Sequence, residues 1–166
     1  MATPTTLPAS FTAGQILTAA QMNNLRGAFR ILQVVEATYS TATSSSTNTF
    51  VDTGLTASIT PSSTSSKILV FVSHGGVNKV AGNSLTAIDI QLLRTSTVIA
   101  ECLAVLYTNS STDLRTPSAV LVKLDSPATT SAVTYKTQFR SRNNTASVTV
   151  QGDSSTSTII LCEVSA

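Results

Sequence analysis

From Ile31 onward hydrophobic and polar positions alternate with a period of two, the signature of strands with one wet face. "ILQVVEATYS" opens the series, and "NTFVDTG" and "LTASITP" predict two short strands separated at their glycine. "SKILVFVSHGG" is a near-continuous apolar run, which predicts a strand covered on both faces. "SLTAIDIQLLR" alternates cleanly, with Ile88, Ile90 and Leu92 on one face and Asp89, Gln91 and Leu93 on the other. "STVIAECLAVLY" follows a tight turn, and "TNSSTDLRTP" reads as a polar loop. "SAVLVKLD", "SAVTYKTQFRSR", "ASVTVQG" and "STIILCEV" complete the set. The dipeptides "GG", "GN", "SP", "NN" and "GD" punctuate these runs as turns. About eight or nine strands with no helix between them predict an all-β domain over residues 31–166, an antiparallel β-sandwich and most simply a jelly roll.

Residues 1–30 obey a different rule. "MATPTTLPA" holds two prolines and three threonines and has too little apolar surface for a core, so it predicts an extended arm. Thr18 and Gln21 have capping-box spacing, Gly27 supplies a stop, and Ala19, Met22 and Leu25 share one helical face that Phe29 continues. The helix is at most about eight residues, too short to persist alone in water. Its apolar face needs a partner: its own domain, a sister subunit or another protein.

Charge narrows the function classes. Of 166 residues only 11% are charged, and serine and threonine make up about a third. Hydroxyls thus take over the surface role that charges usually play. The net charge of +2 comes without a basic run, and there is no tryptophan. The electrostatic footprint of a nucleic-acid binder is missing, and no apolar run approaches a membrane span. Leu93, apolar on an otherwise polar face, marks a position that a sister subunit would cover. The two cysteines, Cys102 and Cys162, sit in apolar runs behind a start that lacks the charge and apolar pattern of an export signal. They read as buried free thiols of a protein made in a reducing cytoplasm.

Candidate chemistry is sparse. The only histidine, His74, follows Ser73, but neighbours in a strand point to opposite faces and cannot form a nucleophile–base pair. His74 with Cys102 and Cys162 has no local ligand pair at zinc spacing. The acidic residues Glu36, Asp52, Asp89, Glu101, Asp113, Asp125, Asp153 and Glu163 are spread singly, mostly near turns or on outward positions, and read as solvated surface. "HGG" and "QGD" are too short to cradle phosphate. Lys136, Gln138, Arg140 and Arg142 share one strand face that lacks interleaved aromatics, and read as a solvated face or an ion-pair site between subunits. The expectation is a protein that is not an enzyme and carries no cofactor or metal.

One segment does resemble something known. "FTAGQILTAAQMNNLRGAF" is similar to an N-terminal segment that recurs in virion surface proteins of tailed bacteriophages, of the form aromatic–x-x-G-x-hydrophobic–T-A-x-x-hydrophobic–N. "TFVDTGLTASITPSSTSSKILV", "LLRTSTVIA" and "LDSPATTSAVTYKTQFRSRN" resemble the β-domain of small phage structural proteins, capsid-decorating or tail-fibre-like. The resemblance implies a homotrimeric knob on the virion, assembled in the host cytoplasm, whose arms grip the major capsid protein or another virion protein. Nucleic acid and membrane are not expected as partners. Phe11, Ile16, Leu17, Met22, Leu25 and Phe29 then become the anchoring side chains, since a short segment that orders on binding can wrap a large surface. With no stalk sequence, capsid decoration or cementing is the favoured placement. The alternative is a short tail or head fibre, or a receptor-binding knob that meets a host surface glycan.

Overall fold

The computed structural model describes residues 31–80, 86–109, 111–143 and 146–165, together with Gly14, Ile16 and Thr18. Ten strands form: β1 Ile31–Tyr39, β2 Thr43–Ser45, β3 Val51–Ile59, β4 Lys67–Lys79, β5 Thr86–Arg94, β6 Thr97–Thr108, β7 Leu114–Asp125, β8 Val133–Ser141, β9 Val148–Val150 and β10 Ser157–Val164. No helix occurs among the described residues, and the short helix expected before residue 31 lies outside them.

All pairings are antiparallel, and they build two sheets. The six-stranded sheet runs β1-β10-β4-β9-β2, with β7 on the other side of β4; the four-stranded sheet runs β3-β8-β5-β6. In sequence terms β5 pairs β6, β4 pairs β7, β3 pairs β8 and β1 pairs β10, a nested set like one long hairpin rolled up. Alternation then does what the pattern predicted. Leu55 and Ile59, Ile90 and Leu92, and Tyr135 and Phe139 point from the four-stranded sheet toward Val70, Val72, Ile159 and Leu161 of the other. All are buried in one cluster.

Three local expectations fail, each for a stated reason. "NTFVDTG" and "LTASITP" contribute to one strand, β3, because Gly54 absorbs the irregularity as a bulge: its φ is +88° and the register against β8 shifts between Asp52 and Thr56. The Tyr39 ring lies so close to Gly54 that any Cβ there would collide with it. "GG" is no turn. Gly75 and Gly76 sit inside β4, where the Gly75 and Gly76 carbonyls accept the Gln151 and Gly152 N–H groups at 3.0 and 2.9 Å. The loop before "SAVLVKLD" ends earlier than its polarity suggests, since β7 already starts at Leu114 and passes through Pro117. Proline is tolerated there because β7 is an edge strand, and the ladder to β4 skips it between Thr116 and Ser118.

Candidate interaction face

The outward side of the six-stranded sheet is apolar, and its registers define it row by row. Val34 of β1 aligns with Cys162 of β10, which aligns with Leu69 of β4 and then Leu124 of β7. The next row is Glu36, Ile160, Phe71, Val122, and the third is Thr38, Thr158, Ser73, Val120. Eight apolar side chains thus form one patch across four strands, with one carboxylate at its margin. Val34, Phe71, Val120, Val122 and Leu124 are each between 41% and 59% exposed. A groove of about 260 Å³ runs between Phe71, Ser73, Val120, Thr158 and Ile160. A sheet normally wets its second face with polar residues, so a patch of this extent is the kind of surface that proteins cover.

Sequence reading touched this face without recognising it. The run "ILVFV" predicted a strand with both sides covered, yet only Ile68, Val70 and Val72 are; Leu69 is half-buried and Phe71 is open. The neighbouring strands repeat the habit, with Val120, Val122 and Leu124 alternating with Ala119, Leu121 and Lys123, and Ile160 between Ile159 and Leu161. The available signal was apolar occupancy of both parities in three strands that pair with one another. Leu93 carries no such meaning, for it is only 5% exposed, flanked across the ladder by Lys136 and Val98.

The outward side of the four-stranded sheet is the opposite in character. Asp89 is fully buried and takes Arg140 Nε at 3.0 Å, Arg142 Nη2 at 2.6 Å and the backbone N–H of Ala104 at 3.0 Å. Burial alone would raise its pKa; these donors reverse that and hold it below the ordinary carboxylate value. Arg140 also stacks over the Phe50 ring, 4.5 Å from its centroid. Lys136 pairs with Asp52 at 2.9 Å, and Gln138 donates to Asp52 at 2.8 Å while accepting from Gln91 at 2.8 Å. The basic strand is therefore satisfied by carboxylates of its own chain rather than by solvent or a neighbouring subunit.

Other acidic residues also depart from the solvated reading. Asp125 accepts the Tyr135 hydroxyl at 2.8 Å and Arg94 Nη1 at 3.0 Å. Burial and then the Asp125 carboxylate push the Tyr135 phenol above its usual value. Glu163 is buried where burial would raise its pKa, but bonds from Ser62 and Gln33 bring it down to about 2. These carboxylates hold loops and strands together.

Ser73 is exposed and His74 fully buried, on opposite faces of β4. His74 Nδ1 lies 3.2 Å from Ser157 Oγ and 3.4 Å from Gln151 Nε2, with no carboxylate among those contacts. Burial lowers its pKa to about 4. Among the described residues no three His, Cys, Asp or Glu side chains gather as a ligand set. Of the candidate anchoring residues, Ile16 is 89% exposed. Phe11, Leu17, Met22, Leu25 and Phe29 lie outside the described residues. No protein-family model matches the chain, and no curated protein matches it.

Proposed function

We propose that this chain is a structural protein of a tailed bacteriophage: a jelly-roll β-sandwich that assembles as a homotrimer and decorates or cements the capsid through its N-terminal arm, residues 1–30. The nested strand pairing supports the jelly-roll reading, and jelly rolls are well represented among viral structural proteins. The observation that carries the reading is the outward apolar face, because a strand system apolar on both sides, with only one side covered by the described residues, is built to be covered by others. The resemblance of residues 11–29 to phage virion proteins supplies the kind of assembly. Phe11, Ile16, Leu17, Met22, Leu25 and Phe29 are the anchoring surface, and three arms acting together multiply a weak contact by avidity.

The test is occupancy on particles. Leu25→Ala with Phe29→Ala removes two central anchors, each of which commonly costs about 2 kcal/mol or more in an interface. Occupancy should collapse while the melting temperature of the isolated protein barely moves. Unchanged occupancy, or a steep fall in melting temperature, would overturn the anchor. Immunolabelled virions decide placement: label over the capsid supports decoration, and label confined to the tail or to fibres replaces it with the fibre reading.

A further inference from the structure

We infer that the outward face of the six-stranded sheet is the surface by which copies of this chain meet, each face turned toward a common threefold axis. The inference rests on the homotrimer reading and specifies its interface.

The geometry comes first. Four strands abreast, β1, β10, β4 and β7, are about 19 Å wide at the usual spacing of about 4.8 Å. Three such faces closed into a triangular prism leave each about 5–6 Å from the axis. That is about half the separation of roughly 10 Å at which packed sheets fill the space between them with side chains. Phe71, Ile160 and Val122, in the middle row, would fill that space. Three rows at alternate residues make the face about 20 Å tall, so it offers on the order of 400 Å² of apolar ground. That is a reasonable centre for an interface of about 800 Å² per partner with a polar rim.

Charge points the same way. Within its three rows the face carries one charge, Glu36, exposed at the β1 margin; Lys67, one row beyond Leu69 on β4, donates its Nζ to Ser126 Oγ at 2.6 Å, and Lys123 of β7 has the opposite parity, level with inward Val70. Rotation about an axis parallel to the strands keeps height, so the β1 margin of one copy abuts the β7 margin of the next and Glu36 comes level with Val122. On the other outward face Lys136, Arg140 and Arg142 are already paired within the chain by Asp52 and Asp89.

The experiment uses the full chain and two variants. Glu36→Cys with Val122→Cys places thiols in one row but three strand spacings apart, about 14 Å within a chain, beyond the roughly 7 Å reach of a disulfide. On mild oxidation a non-reducing gel should show a covalent trimer. Val122→Lys, at a position 54% exposed, should convert the trimer to a folded monomer in light scattering with its strand circular dichroism kept. A covalent dimer would overturn the threefold closure. An uncross-linked double variant with a Val122→Lys protein that stays trimeric would overturn the face while leaving the homotrimer reading standing. A wild-type monomer at about 10 µM would overturn the homotrimer itself, which the occupancy measurement on particles then tests separately.

Discussion

His74 should make this protein lose stability on mild acidification, mostly before Glu163 comes into play. The side chain is fully buried, its Nε2 finds no partner among the described residues, and the same holds for the neighbouring Gln151 Oε1. Nothing there compensates an imidazolium, so the native pKa falls from 6.5 to about 4. The unfolded chain takes up its proton near pH 6.5 and the folded one only near 4. Between those values the unfolded state binds more protons, so stability falls with acidification, starting just above pH 6.5 and levelling off near 4. At about 1.4 kcal/mol per pH unit the whole loss is about 3 kcal/mol. The assay is urea unfolding at constant ionic strength, half a pH unit at a time from 8 to 4.5, for wild type and His74→Gln. Glutamine cannot titrate, so the variant should start less stable and stay nearly flat across that range. Glu163 and its low native pKa contribute only below about 4.5, after most of the histidine effect has been expressed. A wild-type curve flat from pH 7.5 to 5, or a His74→Gln curve with the wild-type slope, would refute the assignment.

Other substitutions probe the remaining buried features. Asp89→Ala strands two arginines, each about a third exposed and able to recover water, and orphans the Ala104 N–H; it should cost about 2–3 kcal/mol in thermal unfolding. Gly54→Ala puts a side chain at φ +88° and into the Tyr39 ring, so a loss of about 2 kcal/mol or more is expected from denaturant midpoints, and a neutral result would mean the bulge is absent. Cys102 packs against the core from the four-stranded sheet, where burial raises its pKa, while Cys162 lies on the outer face of the other sheet. Intact-mass analysis should find both thiols free and slow to alkylate before unfolding; a mass deficit of two hydrogens restored by reductant would show a disulfide.

The strands were legible because period-two patterning is local: "TAIDIQLLR" declares the inward trio Ile88, Ile90 and Leu92 without reference to anything else. Leu93 and Asp89 misled because burial of an outward residue is decided by neighbouring strands. Lys136, Arg140 and Arg142 lie some fifty residues away, and no local pattern announces them as cover. The β3 bulge was hidden for the converse reason, as Gly54 reads as a terminator until Tyr39 is known to pack against it. The interaction face was half-legible. Its apolar positions are plain in "ILVFV", "AVLVKL" and "IILC", but alternation cannot say which of two apolar sides the chain itself covers. Which strands lie side by side decides that, and adjacency is set by the nested pairing.

That pairing also orders events during synthesis. Among the described residues β1 pairs only with β10, and Tyr39 waits for Ser157 to be translated before its backbone finds that partner. Until then one edge of β4 lacks the strand that covers its residues 67–73, and Ile159 and Leu161 are absent from the core. Ribosomes add roughly 5–20 residues each second, so the nascent chain spends several seconds with apolar edges open, whereas the late strands settle once they emerge. A chain interrupted ahead of β10 keeps those edges open permanently. Premature stops near the 3′ end of the coding sequence would then yield aggregating fragments that chaperones hold, not shortened but serviceable proteins.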